Sequence, residues 1–272
     1  MHSTPNTASS SQRRNTDHAR GGSAPPDHPL EGRRALVTGG SRGIGRAIAI
    51  ALARAGADVA VGYGSHREAA EEVARDVRRA GRRAVTVGGD MADPDQVRRV
   101  ASEAVERLGQ VDVLVANAGI GPRVDLEDID VAAWDRLLAV NLRAPFLLAQ
   151  ALAPGMRERA WGRILLMSSV ASFTGGILAP HYSASKAGLI GLAHALARPL
   201  APHGVTVNTI APALIETDLL TDNPAIAAHL ADSIPVGRLG RPDEVADLVV
   251  AVVSNAYVTG QTFLVDGGVH FR

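Results

Sequence analysis

A chain of 272 residues with 46% apolar residues is long enough to bury one sizeable α/β core. Its 28 basic and 28 acidic residues cancel, so bulk charge gives no reason to expect nucleic acid or an anionic membrane as partner. Cysteine is absent, which excludes disulfides, thiolate zinc sites and cysteine nucleophiles.

Residues 1–29 differ from the rest. They are polar, rich in Ser, Pro and Gly, and lack any apolar period, the composition of a disordered tail. Arg13 and Arg14 are adjacent, but no apolar segment follows, so a twin-arginine export signal is not expected. No apolar run reaches the length of a membrane span. The expectation is a cytoplasmic protein with one folded domain over 30–272.

Arg34–Thr38 reads as a short buried strand, followed by Gly39-Gly40-Ser41-Arg42-Gly43-Ile44-Gly45 and an apolar helix from Ile44 to Ala55. A Gly-rich turn alone is often only a turn. Between a strand and a helix it is a phosphate site, where glycines admit the pyrophosphate and the helix start offers free N–H groups. The spacing is G-x-x-x-G-x-G rather than G-x-G-x-x-G.

Asp58–Val61 is the second strand. An NAD site wants a carboxylate near its end to bind the ribose 2′-hydroxyl. Gly62, Tyr63, Gly64 and Ser65 stand there instead, with Arg42 in the Gly-rich loop and His66 and Arg67 just beyond. A missing anion beside cations favours a 2′-phosphate, hence NADP(H) over NAD(H).

A helix over Ser65–Ala80 leads to strand three, Ala84–Val87, and to Asp90-Met91. Asp90 either caps the turn or reaches an adenine at the sheet edge. A helix from Asp93-Pro94 to Leu108 has proline in its first turn. Val111–Val115 is strand four, and Asn117-Ala118-Gly119 follow it. Asp130–Met156 is helical, interrupted by Pro145 and ended near Pro154. Pro145 leaves the carbonyl of Asn141 without its helical donor. Arg163–Met167 is strand five and runs into Ser168-Ser169.

Tyr182 and Lys186 share one face of the next helix, which extends to about Leu200. A phenol beside an ammonium suits proton transfer to a carbonyl oxygen, because the cation favours the phenolate. Val205–Ile210 is strand six, 212–233 reads as a lid, Pro242–Ser254 as a helix and Gln261–Val265 as the last strand. The alternation predicts a doubly wound, seven-stranded parallel sheet, a Rossmann fold, with its polar candidates at the ligand-binding edge. His181, His194 and His203 have no metal-ligand pattern and no metal is expected. His181 is read either as facing the cleft or as surface.

The motifs TGGSRGIG at 38–45, DMAD at 90–93, NAG at 117–119, Asn141, Ser169 and YSASK at 182–186 together resemble the single-domain short-chain dehydrogenase/reductase family, over residues 32–272. The resemblance implies that Tyr182 exchanges the proton and that Lys186 lowers its pKa and holds the nicotinamide ribose. It implies that Ser169 binds the substrate oxygen and Asn141 positions a relay water. Asp90 and Met91 would flank the adenine, Asn117–Gly119 the ribose, and Pro212, Ile215 and Thr217 the nicotinamide end. It also implies a homotetramer.

Within the family, HYSASKAGLIGLAHALA and VGRLGRPDEVA are most similar to 3-oxoacyl-acyl-carrier-protein reductases of fatty acid biosynthesis, which implies an acyl-thioester or other small-molecule substrate. A dehydrogenase of a sugar, steroid or other cyclic alcohol is the alternative. A nucleotide sensor without turnover is a third, against which the intact Ser–Tyr–Lys set counts. The chain departs from the family at Ala213, where glycine is usual, and at Ala116, where asparagine is usual. It also departs at Val253–Tyr257, which is about two residues short.

Overall fold

The computed structural model describes residues 28–216 and 230–270. Seven strands form one sheet: β1 (Arg34–Val37), β2 (Asp58–Tyr63), β3 (Ala84–Gly88), β4 (Val113–Ala116), β5 (Gly162–Met167), β6 (Val205–Pro212) and β7 (Thr262–Val265). Their order is β3-β2-β1-β4-β5-β6-β7 and every pairing is parallel. Sequence order reverses between β1 and β4. That switch point opens the crevice where such sheets take ligands.

Alternating side chains send each strand's apolar groups to both faces. Ala35, Val37, Val59 and Val61 meet α1 (Gly43–Arg54), α2 (Arg67–Arg79) and α8 (Pro242–Ser254) on one side. Leu36, Ala60, Leu114 and Leu166 meet α3 (Pro94–Leu108), α5 (Ala144–Glu158) and α7 (Pro180–Leu200) on the other. Two further described helices are α4 (Val131–Leu138) and α6 (Ala171–Thr174).

The chain departs from the sequence expectations in instructive ways. β2 runs on to Tyr63, because Gly62 still pairs with Val87 and Tyr63 with Gly88. β6 likewise includes Pro212, which the sequence places in a lid, and most of that lid (217–229) lies outside the described residues. So do residues 1–27 of the expected tail; His28 is attached through its Nδ1, 3.1 Å from the carbonyl of Arg54.

Pro154 does not end α5, which continues to Glu158. The N–H that proline lacks would have served the carbonyl of Gln150, a residue on the exposed side of the helix, where solvent is available to the carbonyl. Pro145 follows a π-turn over Ala139–Arg143 that widens the helix around Asn141. Taken together, Val131–Glu158 make a 28-residue run that is apolar and long enough to cross a membrane, contrary to the sequence reading. Within it, 56% of the most apolar window is buried inside the fold, as in a core helix.

Candidate active site

The Gly-rich turn lies at the switch point. Gly39 and Gly43 take φ of +62° and +52°, a region costly for side chains. Gly45 answers a different need: a Cβ there would stand 2.1 Å from the carbonyl oxygen of Gly39. The first turn of α1 has no side-chain cap and no acidic residue, so its N–H groups are open to an anion.

Asn117 fixes this turn to the end of β4. Its Nδ2 donates to the carbonyls of Thr38 (3.0 Å) and Gly39 (3.2 Å). In return, Thr38 Oγ1 accepts from the N–H groups of Asn117 and Ala118, both at 3.1 Å. The side chain of Asn117 is thus committed to the loop itself.

A groove of about 850 Å³ follows from the turn along the sheet edge. Of the candidates named from sequence, Gly39, Ser41, Arg42, Ile44, Gly45, Tyr63, Ser65, Asp90, Met91, Asn117, Ala118 and Gly119 line it. Gly43 shapes the turn without lining the groove. Arg67 begins α2 and does not line it either, whereas His66 does. The groove has the open helix start and the absent carboxylate after β2 that a dinucleotide with a 2′-phosphate requires.

Sequence reasoning did not single out Gln96, Arg99, Val100, Ile120, Arg136 and Val140, which also line the groove. Arg136 pairs with Asp90 at 3.4 Å across the groove wall, and both are well exposed, so the pair is worth little by itself.

A second cavity, of about 280 Å³, adjoins the groove and shares Ile44, Asn117, Gly119 and Ile120 with it. Ser169, Tyr182, Lys186 and Pro212 meet there, with Met167, Leu178 and Ala213. β5 delivers Ser169 and the first turns of α7 deliver Tyr182 and Lys186. Burial pushes the Tyr182 phenol upward, opposed by a hydrogen bond with Ser169. The Lys186 ammonium, fully desolvated, is pushed down to about 8.

Here the structure corrects the sequence reading. In the protein alone burial outweighs the lowering by Lys186, whose Nζ donates to the carbonyl of Met167 at 2.7 Å and lies 5.7 Å from the phenol ring centroid, so the net shift of Tyr182 is upward. Desolvation of the phenol therefore dominates.

Asn141 is fully buried in the π-turn. Its Oδ1 accepts from Ile120 N–H at 2.9 Å, and its Nδ2 donates to Ile120 C=O at 2.9 Å and to Ser185 Oγ at 3.1 Å. It thereby ties the β4 loop to α7, beside the lysine. The side chain of Ile215 is 4% exposed, belongs to the core packed on α8 and lines neither cavity. Thr217 lies outside the described residues. Ala213 takes no positive φ and its N–H donates to Val265 at 3.0 Å, so the methyl where glycine is usual fits without strain.

His181 neither lines the cleft nor lies on the surface. It is 1% exposed, stacked on Trp134 with ring centroids 6.0 Å apart, and its Nδ1 has no partner. Among the described residues there is no cluster of potential metal ligands.

The family model for short chain dehydrogenases matches residues 33–226. An L-rhamnose 1-dehydrogenase (NAD(P)(+)) from Sphingomonas sp. (strain SKA58) is 39% identical over 247 residues, covering 89% of this chain and 97% of that one. A 3-oxoacyl-[acyl-carrier-protein] reductase from Synechocystis sp. (strain ATCC 27184 / PCC 6803 / Kazusa) is also 39% identical, over 242 residues, with 88% and 97% covered. Among solved structures, a blue fluorescent protein from a metagenomic library, in complex with NADPH, superposes with a TM-score of 0.84 at 37% identity, covering 89% of this chain and all of that one. The chain belongs to the short-chain dehydrogenase family, and it is an oxidoreductase.

Proposed function

We propose that this enzyme is NADP(H)-dependent and moves a hydride between the nicotinamide and the carbon of a carbonyl or secondary alcohol. One observation carries the reading: Ser169, Tyr182 and Lys186 converge on a cavity continuous with the dinucleotide groove. NADP(H) is supported by Arg42 on the groove, by the lack of a carboxylate from Gly62 to Ser65, and by a similar protein whose structure holds NADPH.

Bound NADPH supplies the hydride that reduces the carbonyl carbon. Tyr182, kept protonated by burial, gives its proton to the carbonyl oxygen, so the product is the alcohol. Ser169 donates a hydrogen bond to the same oxygen as negative charge develops on it. Lys186 steadies the phenolate left behind, and Asn141 holds the loop and helix that frame the lysine. Solvent returns the proton to Tyr182; the oxidation runs these steps in reverse. General acid–base help of this kind is worth ~10²–10⁴ in rate.

A 3-oxoacyl thioester is the substrate class we favour. Ile120, Met167, Leu178 and Ala213 give the cavity an apolar wall, and Lys186 is its one charged liner among the described residues. A sugar is the second reading, favoured by the similarity to an L-rhamnose dehydrogenase. The exposed Val131, Trp134 and Phe146 of α4 and α5 suit the interface of a homotetramer.

The test is turnover by the purified protein, followed by reduced-nicotinamide absorbance. NADPH with 3-oxoacyl thioesters, and NADP⁺ or NAD⁺ with L-rhamnose and other aldoses, form the panel. Thioester reduction with NADPH is expected, and oxidation of aldoses alone would replace it with the second reading.

A further inference from the structure

The last described residues of the chain return to the segment that carries Ser169. The imidazole of His270 stacks on the ring of Phe173, with centroids 5.3 Å apart and planes within 7°. The segment is fixed for that contact. Asp266 accepts from the N–H of Gly268 (Oδ1, 3.0 Å) and of His270 (Oδ2, 2.9 Å). The Gly267 carbonyl accepts from Val236 N–H at 3.1 Å.

Phe173 sits one turn beyond Ser169, in α6, a helix of four residues. A helix so short has no stability of its own, so tertiary contacts set its position. One end of α6 begins at Ser169, whose Oγ accepts from Ala171 N–H at 3.2 Å. The other end passes through Gly175 and Gly176, at φ of +79° and +66°, into the loop that carries Leu178 to the cleft wall. Any shift of α6 therefore moves a cleft wall relative to Tyr182.

We propose that His270 is a positioning residue for substrate selection: its stack on Phe173 fixes α6 and, through it, the substrate-side wall between Ser169 and Leu178. The inference rests on the cavity being the reaction site proposed above. The nucleotide groove lies on the other side of that cavity, so substrate recognition responds to this contact and cofactor binding does not.

The experiment compares His270→Ala and His270→Phe with the wild type on the substrate panel, together with the Kd for NADPH and the melting temperature. His270→Ala is expected to raise KM about three- to tenfold for the best substrate, in keeping with the loss of one aromatic contact. Its kcat and NADPH affinity should hold within about twofold, and His270→Phe, which keeps the stack, should restore KM. An unchanged KM in His270→Ala, or equal damage in both variants, would overturn the inference while leaving the proposed function standing. A wild type inert toward the whole panel, with NADPH bound, would overturn both.

Discussion

Lys186 reaches past Tyr182 to the carbonyl of Met167, at 2.7 Å, and its ammonium stands 5.7 Å from the phenol ring centroid. The lysine is anchored to β5, the strand that also delivers Ser169. Strand, serine and cation therefore hold a fixed relation while α7 carries the tyrosine. The lysine is buried and pushed down to about 8, whereas burial pushes the tyrosine upward.

These opposite shifts fix a pH profile. Reduction needs the Tyr182 phenol protonated and the Lys186 ammonium charged. Since Tyr182 stays protonated well into alkaline pH, kcat/KM for reduction should fall as pH rises through about 8, with the slope of a single group belonging to Lys186. Stability has the opposite sign. The folded-state pKa of this lysine is depressed, so the unfolded chain binds more protons from about 8 to about 10.5, and stability from this group rises across that window. A rate profile flat through pH 8 to 9 would remove the lysine from the account.

Asn141, itself buried, holds three hydrogen-bonding groups on the β4 loop and α7. Asn141→Ala leaves Ile120 N–H and C=O without protein partners. The expected loss is ~2–4 kcal/mol, measured by denaturant unfolding, with a fall in kcat larger than any rise in KM for NADPH. Unaltered stability would show that water replaces the amide freely.

Much of this site is legible in the sequence, for a local reason. A strand, a Gly-rich turn and a helix are contiguous, and the i,i+4 pair Tyr182/Lys186 needs only helical geometry. Contacts between distant segments are not legible. The Lys186–Met167 bond joins α7 to β5 and is set by packing alone. His181 looks like a surface residue until Trp134 of α4 covers it. Pro154 reads as a helix end because the exposure of Gln150, which makes solvent available to the freed carbonyl, is a tertiary fact. Ile215 is close in sequence to the cleft, but its side chain turns into the core where α8 offers apolar surface.

Arg42 is exposed at the open start of α1, on the wall of the groove. Its removal should cost the 2′-phosphate a charged partner and leave NADH little affected. Arg42→Ala is expected to reduce the preference for NADPH over NADH by roughly ten- to hundredfold, equivalent to ~1.5–3 kcal/mol. Equal losses with both nucleotides would assign Arg42 to the turn rather than to selectivity.

Ala160, just after α5, holds a φ of +50°, the one positive value outside glycine among the described residues. Its Cβ pays a steric cost there that glycine avoids. Ala160→Gly should stabilise the protein by ~0.5–1 kcal/mol, offset in part by the freer unfolded chain. A lower melting temperature would contradict that reading.

The central claim is that the Tyr182 phenol supplies the proton as the carbonyl is reduced. Tyr182→Phe keeps the ring and deletes only the hydroxyl. Single-turnover reduction of the best substrate, with NADPH Kd measured alongside, tests this most directly. NADPH affinity should be unchanged and the rate of hydride transfer lower by at least about a hundredfold. A variant that binds NADPH and reduces substrate within a few-fold of the wild type would contradict it.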